Sequence, residues 1–308
     1  LSRSRRRFLP VLKYYREKYD LKQEEICDGI CSVTTLSRIE QGFRESDSLV
    51  VQTLLSRIGK EVTLFETIVN EEDYDLWKTR TEIEKLVERK QFAAAKKKIN
   101  AYRKMMPEEE TNHEQFCLYQ EACVLKEEGK PDEEVCDVLE RAIKLTIPKI
   151  GTKTEKARLY SQMEIKLIFQ LYQHHREEEM FLEQEILNVI AYVEKYYGDR
   201  NKEKIQTELY LAIIRYQEQK HNYEIILEYI EKLLQVIAKG EGFYHLAELY
   251  FLRARLKAKM AVTKADWEQC KKDCRLACGL YEIEEDEKGQ NAAKKYYEEL
   301  EQDKTVRE

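Results

Sequence analysis

The positions of the helix breakers constrain this chain more than any other feature. Its 308 residues hold only 10 Gly and 4 Pro. From residue 75 onward most of these fall between segments with helical apolar spacing: Gly129-Lys130-Pro131, Pro148 to Gly151, Gly198-Asp199 and Gly240-Glu241-Gly242. The intervening segments are too long and too rich in charge for strands, at 36% Asp, Glu, Lys and Arg against 43% apolar residues. The spacing predicts helices over 76–88, 92–105, 113–128, 132–146, 154–173, 178–196, 201–219, 223–238, 243–260 and 264–281, with a last charged helix over 284–301. Taken in pairs, they begin near 76, 117, 157, 200 and 243, so the repeat is 41, 40, 43 and 43 residues. A period of that size predicts an all-α solenoid of about five helical hairpins, each needing neighbours to cover its apolar face.

The first 60 residues follow another pattern. They carry 12 Lys/Arg against 8 Asp/Glu, while the remainder carries 41 against 51. Phe8, Leu12, Tyr15 and Tyr19 form a helical stripe, with Pro10 tolerated near its start. A short helix from Gln23 reaches Gly29, and a second runs from Val33 until Gly42 stops it. Ser46 to Ser48 supply N-caps for a helix with buried Val51, Leu54, Leu55 and Ile58, closed by Gly59. Thr63 to Glu66 has capping-box spacing for a further helix.

Four helices in about fifty residues, the second and third joined at a glycine turn, match a helix-turn-helix. Leu36 and Ile39 face its core. Thr34, Thr35, Arg38 and Gln41 then turn outward, toward phosphates or base edges. Gln23, beside the open N–H groups of its helix, is placed to hold a phosphate. The candidate DNA contacts are Gln23, Thr34, Thr35, Ser37 and Arg38. Arg3, Arg5, Arg6 and Arg7 could form an arm on a groove or a solvated tail.

These residues carry a family resemblance. Gln23-Glu24-Glu25-Ile26-Cys27, then Gly29-Ile30-Cys31, then Thr34 to Gly42 resemble the Cro-repressor type of helix-turn-helix, and are most similar to the PlcR/Rgg/NprR group of peptide-pheromone regulators. The resemblance implies a structural pair between Arg16 and Glu40. It also implies a regulator that binds double-stranded DNA, dimerises and senses a small peptide. Cys27 stands where the general family prefers Ala, a swap compatible in size.

Within the array, the first two hairpins resemble tetratricopeptide repeats, with Ala95 and Pro107 corresponding to Cys136 and Pro148. A HEAT-like array is the alternative. Stacked hairpins present a concave surface suited to an extended peptide. Gln162, Tyr210, Arg215, Tyr250 and Arg253 are the candidate peptide contacts, while most of the 20 tyrosines are expected to pack between helices. The expected organisation is a DNA-binding domain over 1–61, a linker helix over 62–74 and a repeat domain over 75–308.

Other signals point away from chemistry. Cys270, Cys274 and Cys278 share a helical face, but they read as small packing residues, not as a metal or disulfide site. His174-His175 reads as a solvated helix end. There is no phosphate loop, HExxH or GxSxG, so no enzyme, metal or cofactor is expected. Cysteines without CxxC spacing and the lack of an apolar run of 18 residues fit a cytoplasmic protein with no membrane partner. The competing reading is a Rap-like interaction or adaptor protein whose array acts without peptide-gated DNA binding.

Overall fold

The computed structural model describes residues 9–42, 47–60, 70–107, 111–150, 158–174, 180–239, 245–261 and 263–302. The expected arginine arm, the capping box at Thr63 to Glu66, residues 62–69 of the expected linker helix, His175 and Tyr244 lie outside them. Among the described residues there are fifteen helices and no strand. The chain divides into two compact units, Leu1–Gly198 and Asp199–Glu308.

The first unit begins with α1 (Leu9–Lys18), α2 (Gln23–Cys27), α3 (Val33–Glu40) and α4 (Ser48–Ser56). Leu12, Ile26, Leu36, Ile39, Leu54, Leu55 and Ile58 are fully buried between them, and Cys27 is accommodated in the same core. Three hairpins follow in the same unit: α5 (Glu71–Glu88) with α6 (Phe92–Arg103), α7 (Thr111–Glu127) with α8 (Asp132–Thr146), and α9 (Gln162–His174) with α10 (Met180–Tyr196). The second unit contains α11 (Asp199–Gln219), α12 (Tyr223–Lys239), α13 (Leu246–Met260), α14 (Lys264–Ile283) and α15 (Glu287–Gln302). The two helices of each hairpin pack on one another, and all five expected hairpins are present among the described residues.

Four local readings change. The helix expected from 154 begins only at Gln162, because Ser161 and Glu164 form a reciprocal cap: Glu164 N donates to Ser161 Oγ at 3.2 Å and Ser161 N to Glu164 Oε2 at 2.6 Å. The helix expected from 76 begins at Glu71 instead, where Asn70 Oδ1 accepts the Asp73 N–H at 2.7 Å. The buried counterpart of Ala95 is Val135, one position before half-buried Cys136. His174 is not a solvated end; its Nδ1 lies 2.9 Å from Asp132 Oδ1 at the start of α8, where a partly buried ring needs a polar partner.

The cysteine stripe packs as expected. Cys270 and Cys274 are fully buried with Ala254 and Leu300, against Phe251, Trp267 and Tyr296. Burial raises their thiol pKa values to about 11 and about 12. Among the described residues no group of three or more His, Cys, Asp or Glu side chains could hold a metal ion. Tyr160, Tyr172, Tyr192, Tyr196, Tyr197 and Tyr229 are all buried. Among the described residues no helix is long and apolar enough to cross a membrane.

Gly29 and Gly59 place the small helices against the hairpins. Both have left-handed φ, +70° and +67°. A Cβ on Gly29 would stand 2.0 Å from the Thr146 carbonyl oxygen, and one on Gly59 would stand 2.1 Å from that of Tyr196. The two turns therefore rest directly on the C-terminal ends of α8 and α10. Gly129, at φ +72°, has nothing within 4 Å of its hypothetical Cβ. Gly129→Ala is expected to cost about 1 kcal/mol, the left-handed penalty alone. Gly29→Ala should cost well over about 2 kcal/mol because backbone must also move. Urea denaturation of both variants checks this; equal losses would mean that the Gly29 contact contributes nothing.

Candidate nucleic-acid interface

Helix α3 is set by its ends. Ser32 Oγ accepts the Thr35 N–H at 3.0 Å, satisfying an orphan donor of the first turn, and Gly42 terminates the helix at φ +76°. With Leu36 and Ile39 buried, the outward stripe consists of Val33, Thr34, Ser37, Arg38 and Gln41, which are neighbours on a 3.6-residue helix. Gln41 Nε2 donates to Ser37 Oγ at 3.2 Å, so part of the stripe is held in place.

The expected site residues divide on inspection. Thr34 and Arg38 are exposed, and Ser37 is half-buried on the same stripe. Thr35 sits beside the cap, where its hydroxyl accepts from Ser32 Oγ at 2.9 Å. Gln23 is turned inward: its Nε2 donates to Glu40 Oε2 at 2.8 Å. Glu40 also receives Arg16 in a two-pronged pair, Nε to Oε1 at 2.7 Å and Nη2 to Oε2 at 3.0 Å. The bonds to Glu40 raise the Arg16 pKa above its ordinary value. This triad ties α1, the start of α2 and the end of α3 together. Val33, exposed at the first turn, was not among the expected residues; it stands three residues before buried Leu36, a spacing that by helical phase points toward the core.

Two buried polar sites orient this face. Arg57 follows α4 and is 2% exposed; Glu164 in α9 is fully buried. Arg57 donates Nε to Glu164 Oε2 at 3.2 Å and Nη2 to Oε1. Its Nη1 donates to the carbonyl oxygens of Ile26, at 3.0 Å, and Asp28, both beside the turn between α2 and α3. Burial opposes the charge on Glu164, but Arg57, the Ser161 N–H and Thr146 outweigh it and hold its pKa below the ordinary carboxylate value. Tyr192 adds a bond from its hydroxyl to the Ser56 carbonyl oxygen at 2.9 Å.

The second site lies at the other end of α4. Asp47 caps that helix by accepting the Leu49 N–H at 2.7 Å, and its Oδ1 is 3.0 Å from Nε2 of buried His113. With the imidazole proton on Nε2, Nδ1 accepts from the Tyr102 hydroxyl, whose oxygen accepts from Arg80 Nη1 at 2.9 Å. Burial opposes ionisation of Asp47, yet the His113 bond, the Leu49 N–H and the nearby Arg80 charge bring its pKa below the ordinary value. Burial also pushes the Tyr102 hydroxyl up to about 12, so it remains a neutral donor.

The expected peptide contacts occupy different units. Gln162 is exposed in the first, with its N–H 3.4 Å from Ser56 Oγ. In the second, the Tyr210 and Tyr229 rings lie 6.1 Å apart, and exposed Arg215 is 3.7 Å from Glu248. Arg253 covers the Tyr250 ring at 4.8 Å and bonds Asp273 at 2.7 and 2.8 Å and Glu231 at 3.2 Å. Its guanidinium is thus engaged inside the unit.

Residues 12–65 match the helix-turn-helix family. Among solved structures the chain is similar to Bacillus thuringiensis PlcR in complex with the peptide PapR7 and DNA, at 16% identity over 96% of this chain and 99% of that one, with a TM-score of 0.45. It is also similar to the Streptococcus dysgalactiae SHP pheromone receptor Rgg2, at 15% identity over 95% and 99%, TM-score 0.46. A third is ComR of S. thermophilus in complex with DNA and its signalling peptide ComS, at 17% over 96% and 99%, TM-score 0.41. No curated protein matches the chain.

Glu164→Gln is expected to destabilise the first unit by about 3–5 kcal/mol near neutral pH, because Arg57 is left as an uncompensated buried charge. An Arg57→Met/Glu164→Leu double variant should lose far less than the sum of its single changes. Both carboxylates, Asp47 and Glu164, have folded pKa values below their unfolded ones of about 3.9 and 4.3, so their contribution is present above those values and lost as pH falls through the folded pKa. Chemical denaturation from pH 7 to pH 3 should show stability falling below about pH 4.3, with a shallower fall in Glu164→Gln.

Proposed function

We propose that this chain, whose residues 12–65 match the helix-turn-helix family, is a transcription regulator that reads double-stranded DNA as a homodimer and senses a peptide through its helical hairpins. The observation that carries the DNA step is the free outward stripe of α3: two buried polar sites lie behind it, and exposed Thr34 and Arg38 lie on it. A helix held from behind and polar in front suits the major groove. Arg38 donates to a guanine edge or a phosphate, Thr34 and Ser37 approach bases or backbone, and Thr35 and Gln23 fix the helix ends beside the phosphates. Gln23 does so from within the Glu40 triad, its side chain shared between fold and docking.

The functional division we propose is a reading head over 1–61, a connector over 62–74 and an effector array over 75–308. Dimerisation is part of this reading, because two α3 helices are what two half-sites about 34 Å apart on one duplex face require. The peptide step is supported by the likeness of the motif residues to peptide-pheromone regulators and by the hairpin array, a scaffold suited to extended ligands. Gln162, Tyr210, Arg215, Tyr250 and Arg253 are the candidate contact residues of this reading. Effector binding acts by shifting the array between two states of different peptide affinity. Because Arg57 and Asp47 tie the head to α9 and α7, movement of those helices moves α3. No catalytic step is proposed.

Selection of bound duplexes from a random pool, with and without peptide extract from the source cells, tests both steps. A palindrome is expected, with enrichment that changes when extract is present. No enriched sequence would remove the DNA reading, and an enrichment indifferent to extract would remove the peptide reading. Arg38→Ala should weaken binding to the enriched duplex by about 1–3 kcal/mol if it reads a base. Its thermal stability should stay at the wild-type value, since Arg38 is exposed.

A further inference from the structure

Val33 opens α3 and is 39% exposed, one of the few large apolar side chains on the surface among the described residues. A single exposed valine is ordinary on a protein surface; the position of this one gives it meaning. It belongs to the outward stripe with Thr34, Ser37, Arg38 and Gln41 and is the only apolar member of that stripe. It also lies in the first turn, the part of a recognition helix that contacts base edges. The open cleft beside it, about 490 Å³, is lined by three cations, Lys13, Arg16 and Lys22, and three carboxylates, Glu17, Glu24 and Glu40, with Val33 as its one apolar residue. Ser37, one turn further on, accepts the Gln41 amide, so the polar group nearest in helical phase is already bonded to its own helix.

The major groove offers one apolar group to such a side chain, the C5 methyl of thymine. We propose that Val33 is a specificity-determining residue that packs against a thymine methyl in each half-site. The inference rests on the DNA reading given above and deepens it. A branched pair of methyl groups meets the thymine methyl in apolar contact, whereas cytosine carries only a hydrogen at C5 and offers no methyl to bury. The preference is therefore for thymine over cytosine, and it does not require a hydrogen bond.

The test uses the full-length protein and the duplex enriched from the random pool. Each thymine is replaced in turn by deoxyuridine, which removes only the methyl. Wild-type binding is expected to fall roughly 3- to 10-fold at one thymine per half-site, in keeping with the burial of a single methyl. Val33→Ser should show a similar loss on the parent duplex and no further loss when that thymine becomes deoxyuridine. Val33→Ile, which keeps the branched methyls, should retain the wild-type profile and shows that the position tolerates change. A Val33→Ser variant with the wild-type deoxyuridine profile, or a wild-type protein indifferent to every thymine methyl, overturns the proposal while leaving sequence-selective binding intact. Failure to enrich any duplex overturns it together with the DNA reading on which it rests.

Discussion

The buried ion pair between Arg57 and Glu164 is the interaction on which the placement of the reading helix depends. Taking either charge out of water costs several kcal/mol, and only a complete set of partners offsets it. Arg57 finds its set in three places at once: the Glu164 carboxylate, the Ile26 carbonyl and the Asp28 carbonyl. Glu164 adds the Ser161 N–H at 2.6 Å. The turn between α2 and α3, the end of α4 and the start of α9 must therefore meet at one point. A small displacement of the head would strand a charge, so the geometry is specified more sharply than apolar contact alone would specify it.

The glycines make that meeting sterically feasible. Gly29 and Gly59 supply left-handed turns and also let backbone rest on backbone at Thr146 and Tyr196. Around the second contact the tyrosines assemble an aromatic seat: Tyr196 lies 5.3 Å from both Tyr19 and Tyr192, with Tyr160 at 5.4 Å from Tyr192. Tyr197 joins them at 5.7 Å from Tyr192. The chain of Arg80, Tyr102, His113 and Asp47 secures the opposite end of α4. Behind α3 the packing is dense and Arg57, Glu164, Asp47 and Tyr102 are all bonded; in front of it lies an open stripe of polar groups, one arginine and one valine.

Much of this was legible from the amino-acid order. The helical phase of Leu36 and Ile39 and the glycine stops at 29, 42 and 59 are read from that order alone, while the pairing of Arg16 with Glu40 is what the family resemblance implies. The five hairpins and the packing role of Cys270 and Cys274 are read from the order as well. Three of the differences, at His174, at the start of α9 and at Gln23, share one cause. His174 looked like a solvated end because its partner, Asp132, is 42 residues away. The start of α9 was placed too early because Ser161 and Glu164 cap it with the help of a buried arginine 107 residues before Glu164. Gln23 looked free to face a phosphate, yet Glu40, 17 residues on, holds its side chain.

Periodicity, breakers and caps act over three or four residues, so the order of amino acids was enough to determine the all-helical class, the hairpin count and the presence of a helix-turn-helix motif. Tertiary structure alone decided which polar side chains are internal partners and which are left to meet a ligand. A buried charge or hydrogen-bonding group is tolerable only beside partners that chain folding brings from far away in sequence. Those partners claimed Arg57, Glu164, His113 and Gln23 for the fold and left Thr34, Arg38 and Val33 on the surface.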